Sequence, residues 1–342
     1  MSKISFYCIS KPGEIDLADS LTDALAKVKE SGFVWLSYSN PAKTDLSVLV
    51  DALGIHPLSI EDCFDDEQIP KMDNFPGYTH ILFNSFAYKD KKLVIEEVNL
   101  YLGDKFIVSV SQPQANIQNN LKEFRDLVEQ EIDIAKEGPS FVMHIILDHI
   151  VDQKLIAIEA IEEELIAAED TMLENLKDFE PSDLQRIRRE LLSLRKSLFH
   201  EREILVKINR KNSRFIPDEA IFHFSDVYDH LNKFFELTEI NREVLTSLMQ
   251  MNLSLLNNKM SRAANQTNMS VRRLTFITTI FMPLTLISGI GGMSEYSMMT
   301  GSENWRLAYP LFLGAMAGIG IVNYFILRWM ARNDDDDQKL QR

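Results

Sequence analysis

Residues 274–293 run for 20 positions without a charged side chain. At ~1.5 Å per residue, a helix of that length crosses a hydrocarbon layer of ~30 Å, so the segment 271–293 is expected to be a membrane span. Small and polar residues recur along it at alternating spacings of three and four: Thr275, Thr278, Met282, Thr285, Gly289 and Gly292. That spacing puts them on one helix face, which should meet protein or water, not lipid.

The segment before the span extends this reading. Neither proline nor glycine occurs between Asp218 and Met269, which predicts one continuous helix from about Ser225 to Gly289 or beyond, on the order of 100 Å long. Asn257, Ser261, Ala264, Asn268 and Val271 carry the same alternation backwards from Thr275. A period of 3.5 kept from Asn257 to Gly292 implies neighbouring copies of the same helix, hence a symmetric ring with the seam facing its axis. A polar loop, 294–306, leads to a second span, 307–330, in which Gly314, Gly318 and Gly320 favour close helix packing. Arg262, Arg272 and Arg273 precede the first span, and Arg328 and Arg332 close the second. By the positive-inside rule both termini are expected in the cytoplasm, with the acidic tail 331–342 beside them, in a multi-pass protein of the cell inner membrane.

Residues 1–220 read differently. Residues 4–9 (ISFYCI) and 33–38 (FVWLSY) have strand character, with a helix between them that starts near Asp19 or Ser20 and stops at Gly32. Two short helices separated at Gly54 and Pro57 follow, then three partly alternating apolar runs that predict an antiparallel meander. From Gln114 on, helices take over: 121–134, a very long one at 140–178, and one from Pro181 to about Asn212. The last two should form a hairpin with an acidic first arm and a basic second arm. The fold class expected is an α/β cytoplasmic domain (αβα) at 1–220, a stalk helix at 221–270, and two transmembrane helices.

With a net charge of -15, the chain is not expected to bind nucleic acid, which needs clustered lysine and arginine. Its two cysteines, Cys8 and Cys63, allow neither a disulfide framework nor a multi-cysteine metal site. The first residues carry no apolar run long enough for an export signal, so the N-terminus is expected to stay in the cytoplasm, and without a phosphate loop, nucleophile elbow or paired-carboxylate motif an enzyme is not expected.

A ring of identical helices turns each seam position into a ring of side chains. Polar levels (Asn257, Ser261, Asn265, Asn268) come first, then an apolar constriction at Val271 and Leu274, then Thr275, Thr278, Met282 and Thr285. Apolar rings close a conduit by dewetting, and oxygen-bearing rings accept hydrogen bonds from a hydrated ion. The span holds no carboxylate, so contacts to the water shell are the economical way to pass a divalent cation, above all Mg²⁺, which gives up water reluctantly.

The outer end, FMPLTLISGIGGMS, followed by an acidic loop and WRLAYP, resembles the CorA family of divalent-cation channels, whose hallmark there is Gly-Met-Asn. The resemblance continues through DVYDHLNKFFELTEINREVL back to HPLSIEDCFDDEQIPKMDNF. It implies a homopentamer embedded in lipid that passes hydrated Mg²⁺, often with Co²⁺ or Ni²⁺. On this resemblance Gly292, Met293, Ser294, Thr285, Met282 and Thr278 are the pore and selectivity residues, and Leu274, Val271 and Asn268 the gate. Ser294 replaces the family's asparagine with a shorter hydroxyl, the outer loop is a longer SEYSMMTGSEN, and the stalk carries about seven extra residues, a length that keeps a heptad seam in register.

In the family, divalent ions bridging subunits hold the channel closed. Asp226 and Asp229 match the stalk side of that arrangement, while the opposing position falls at Lys89, whose charge would weaken a cation site by repulsion unless the adjacent Asp90 takes over, so Asp226, Asp229 and Asp90 are the expected regulatory metal ligands. The histidines stand apart from this: His144 and His149 are five apart, and His223 and His230 have no third ligand nearby in sequence. Two other readings remain open at this level: a ZntB-like zinc transporter, and a non-conducting pentameric scaffold with a degenerate filter.

Overall fold

The structure, a computed structural model, describes residues 3–28, 32–65, 68–112, 120–174, 179–292, 301 and 303–340. The chain divides into two compact units, Met1–Gln250 and Met251–Arg342.

The first unit is built on a seven-stranded sheet. Its strands are β1 (Lys3–Ile9), β2 (Ile15–Ala18), β3 (Phe33–Ser39), β4 (Lys71–Asn74), β5 (Thr79–Lys89), β6 (Lys92–Leu102) and β7 (Phe106–Ser111), in spatial order β2-β1-β3-β7-β6-β5-β4. The expected meander is β5-β6-β7, antiparallel throughout, and the pairing of β3 with β7 is parallel. Asp90 and Lys91 turn β5 into β6 with φ of 49° and 59°, the left-handed pair that a two-residue hairpin requires. β2 and β4 are additions to the sequence reading. Each is a four-residue edge strand, too short to display a period of two.

Three short helices, α1 (Leu21–Lys27), α2 (Lys43–Leu53) and α3 (Pro57–Asp62), cover one face of the sheet. Ser20 caps α1 by accepting a hydrogen bond from the amide of Asp23 at 3.1 Å. Alternate residues of β3, Val34, Leu36 and Tyr38, enter a core with Ala24, Leu46, Leu49 and Ile60 from these helices. Trp35 points to the other face and donates its indole N–H to Ser109 at 3.0 Å. After α4 (Asn120–Gln130) and α5 (Ile132–Ala135), the long helices α6 (Pro139–Glu174) and α7 (Pro181–Asn209) pack on that second face. The layers are αβα, as expected.

The start of α6, residues 140–147, is buried all round, so no amphipathic stripe marks it. Further along, Lys154 is completely buried. Its ammonium meets Glu201 Oε1 of α7 at 3.0 Å, the carbonyl of Asn84 on β5, and the ring of Phe86 at 4.4 Å. The same carboxylate oxygen accepts from the Asn84 amide at 3.0 Å and from Ser197 at 3.1 Å. One ion pair therefore ties two helices to the sheet. The oppositely charged arms also meet at a partly buried point, where Arg186 pairs with Glu164 and Glu190 and bonds Tyr88 at the hairpin end.

The helix α8 (Asp218–Gly291) is 74 residues long, starting earlier than expected and unbroken through Pro283. In the second unit it is followed by α9 (Trp305–Leu340), which continues as helix into the acidic tail. Both are long and apolar enough to cross a membrane.

Candidate ion pathway and metal cluster

Burial along the apolar part of α8 separates two faces. Phe276, Ile280, Pro283, Leu284, Ile287 and Gly291 are half-buried, whereas Val271, Thr275, Thr278, Met282, Thr285, Gly289 and Gly292 are exposed. The first set meets α9, on which Ala308, Phe312, Met316, Gly320, Asn323 and Leu327 are half-buried in turn. A Cβ on Gly291 would lie 2.6 Å from the Phe312 ring, and one on Gly320 would lie 3.7 Å from Leu284. Leu284 and Gly291 sit about 120° and 140° round the helix from Thr278 at 100° per residue. The second span thus covers the back of the first and leaves the seam open. Of the three glycines expected to pack α9, only Gly320 does so; Gly314 and Gly318 have nothing within 4 Å.

The seam hydroxyls have a defined polarity. Thr275, Thr278 and Thr285 each donate their O–H to the backbone carbonyl four residues earlier, at 2.9, 2.8 and 2.8 Å. With the proton committed to the helix, each oxygen offers only lone pairs outward. Asn268, Val271, Leu274 and Met282 are exposed beside them. Of the expected selectivity residues, Gly292 directly follows the last residue of α8, and Met293 and Ser294 lie outside the described residues.

In the first unit the expected regulatory carboxylates are all exposed. Asp90 is exposed at the hairpin turn, and Asp226 and Asp229 are exposed on α8. Among the described residues the group able to hold a metal is a different one: Asp148 and Asp152 of α6 with His230 of α8, whose ligand atoms all lie within 4.8 Å of one another. Sequence spacing left His230 without a third ligand, because its partners come from a helix some eighty positions away. The donor set, two carboxylates and one imidazole, fits a divalent cation, and the buried Asp148 Oδ1 and His230 Nδ1 have no hydrogen-bond partner. Burial, reinforced by Asp152, pushes the Asp148 carboxyl up to about 6.

Metal binding needs that carboxylate ionised, so divalent affinity of the first unit is expected to rise as pH increases through about 6. Without metal the sign of the stability effect is opposite. The folded state holds the proton that the unfolded state releases near 4, so ionising Asp148 lowers stability between about pH 4 and 6. Melting curves with and without Mg²⁺ or Co²⁺ at pH 5 and 7 check both statements; equal metal-induced shifts at the two pH values contradict them.

An αβα unit carrying a helix that runs on into one candidate span, with a second candidate span packed on it, defines the architecture of a two-span membrane protein. Residues 30–329 match the family described as CorA-like Mg²⁺ transporter protein, and the chain belongs to that family. It is 31% identical over 294 residues to YfjQ of Bacillus subtilis, covering 85% of this chain and 88% of that protein. To the cobalt/magnesium transport protein CorA of Thermotoga maritima it is 30% identical over 291 residues, covering 84% and 80%. The complete structure of the CorA magnesium transporter from Methanocaldococcus jannaschii superimposes with a TM-score of 0.66 at 22% identity, over 95% of this chain and 97% of that one.

Proposed function

We propose that the chain assembles as a homopentamer in the cell inner membrane, with both termini in the cytoplasm, and conducts hydrated divalent cations, Mg²⁺ foremost with Co²⁺ and Ni²⁺ behind it. The observation that carries this reading is the exposed seam whose threonine protons are already engaged. A hydrated cation turns its water hydrogens outward, and rings of oxygen lone pairs accept them without stripping the shell. Mg²⁺, which sheds water most reluctantly, gains most from such a path. Hydrated anions turn lone pairs outward and find no donors there.

Val271 and Leu274 supply the dry constriction, with the Asn268 ring before it, and closing the conduit requires only that water leave these apolar rings. Gly292, Met293 and Ser294 form the outer entrance, where a serine hydroxyl accepts from the incoming water shell. Relatives named as cobalt/magnesium transporters support the cation class. Cation occupancy of Asp148, Asp152 and His230, with Asp226, Asp229 and Asp90 contributing across neighbouring copies, would couple the internal ion level to the gate.

Purified protein in liposomes loaded with a Mg²⁺-sensitive dye tests the reading, with Zn²⁺ offered in a parallel arm under the same pH gradient. Mg²⁺ influx above that of empty vesicles, and faster than Zn²⁺ influx, is expected. Zn²⁺ flux alone assigns the protein to zinc transport. No flux until Ser294→Asn is introduced identifies a non-conducting scaffold.

A further inference from the structure

One to two turns along the α6–α8 pair from the carboxylate cluster, His144 of α6 faces His223 of α8. Their ring centroids are 5.0 Å apart and their planes inclined at 57°. Phe141 stands edge-on to His223 at 5.7 Å and Phe224 edge-on to His144 at 5.8 Å, so aromatic rings wall the pair on both sides. His144 is 7% exposed, and its Nδ1 is buried without a hydrogen-bond partner. His223 is half-buried, which leaves the pair reachable from solvent.

We infer that His144 and His223 form a nitrogen-donor site for a borderline first-row divalent ion, Zn²⁺, Ni²⁺ or Co²⁺, distinct from the oxygen-rich cluster beside it. A buried imidazole nitrogen without a partner forfeits a hydrogen bond, and packing alone gives no return for it. A metal shared with the opposite imidazole does. Metal–nitrogen bonds of ~2.0–2.1 Å bring two ligating nitrogens to roughly 3.3 Å in a tetrahedral shell, a separation that rings 5.0 Å apart can present. Water completes the coordination, and the Asp226 carboxylate, three residues after His223, adds negative charge near the pair. Mg²⁺ is excluded by chemistry, since it requires hard oxygen ligands in an octahedron, whereas imidazole suits the later first-row ions.

Protonation of His144 does not compete at physiological pH. Burial first, and His223 second, push His144 down to about 4, so its lone pair is available throughout that range. The site does not rest on the transport reading. It would give the first unit a response to transition metals separate from its response to Mg²⁺.

The test is calorimetric titration of tag-free, full-length protein in detergent with Zn²⁺, in a Mg²⁺ excess that occupies the carboxylate cluster. Co²⁺ in place of Zn²⁺ reports nitrogen ligation through its visible absorption. Zn²⁺ binding is expected to persist in excess Mg²⁺ and in Asp152→Asn, and to weaken at least about tenfold in His144→Gln and in His223→Gln. Circular dichroism checks folding; if the buried His144→Gln variant does not fold, the more exposed His223→Gln variant decides. Unchanged Zn²⁺ affinity in the folded histidine variants overturns the inference. So does loss of Zn²⁺ binding in Asp152→Asn, which assigns the ion to the carboxylate cluster.

Discussion

Thr285→Lys is expected to lower Mg²⁺ influx by about a hundredfold or more while the protein still inserts and assembles. At an effective dielectric of ~20 and a distance of ~8 Å, one ammonium repels a divalent ion by roughly 4 kcal/mol, close to a thousandfold in occupancy. Screening by pore water reduces that figure, and further copies of the lysine around the axis restore it. The placement matters, because Thr285 is exposed on the seam while Leu284, next to it, is half-buried toward α9. A lysine facing lipid at mid-span costs ~2.5–3.5 kcal/mol of insertion, whereas one facing a wet axis avoids most of that cost. Thr285→Ser keeps the hydroxyl and its bond to the Phe281 carbonyl and should conduct at near the original rate. An inserted Thr285→Lys protein with unchanged flux would remove the seam from the ion path.

Lys154→Ala should destabilise the first unit by about 3–5 kcal/mol, the range for breaking a buried ion pair from one side. The cost arises because Glu201, 0% exposed, is left with no cation opposite, and the Asn84 carbonyl loses its donor. For a unit of this size the melting temperature should fall by roughly 6–20 °C. Replacing both partners, Lys154→Met with Glu201→Leu, removes the unpaired charge along with the pair and should recover most of the loss. Thermal unfolding followed by circular dichroism measures all three proteins. A single variant melting within about 2 °C of the parent would mean that the pair does not join α6, α7 and β5 in the way described.

The layers and the spans were legible in the sequence because each follows a local period. The meander strands are apolar, partly alternating runs broken at turn residues, and α8 lacks any breaker from Asp218 up to Pro283. The positions expected to face the axis between Val271 and Gly292 are exposed in one chain, as are Ile277, Phe281, Leu286 and Ile290 beside them. What escaped was chemistry assembled across distant segments. His230 meets Asp148 and Asp152, and His223 meets His144, only because α6 and α8 lie side by side, and no spacing within either helix signals it. Nothing in QKLIAIEAI marks Lys154, which is buried against the sheet. The expected set of Asp90, Asp226 and Asp229 rests on resemblance alone, and all three carboxylates are exposed in the single chain.

The central claim is that the seam of α8 faces water and the opposite side does not. Its most direct test is single-cysteine accessibility in membranes, in a background with Cys8→Ser, since Cys63 is buried and shielded. A membrane-impermeant thiol reagent should label cysteines at positions 275, 278, 282 and 285, with Mg²⁺ slowing the reaction, and leave those at 276, 280 and 287 unmodified. Equal labelling of both sets, or labelling only of the second, would contradict the account.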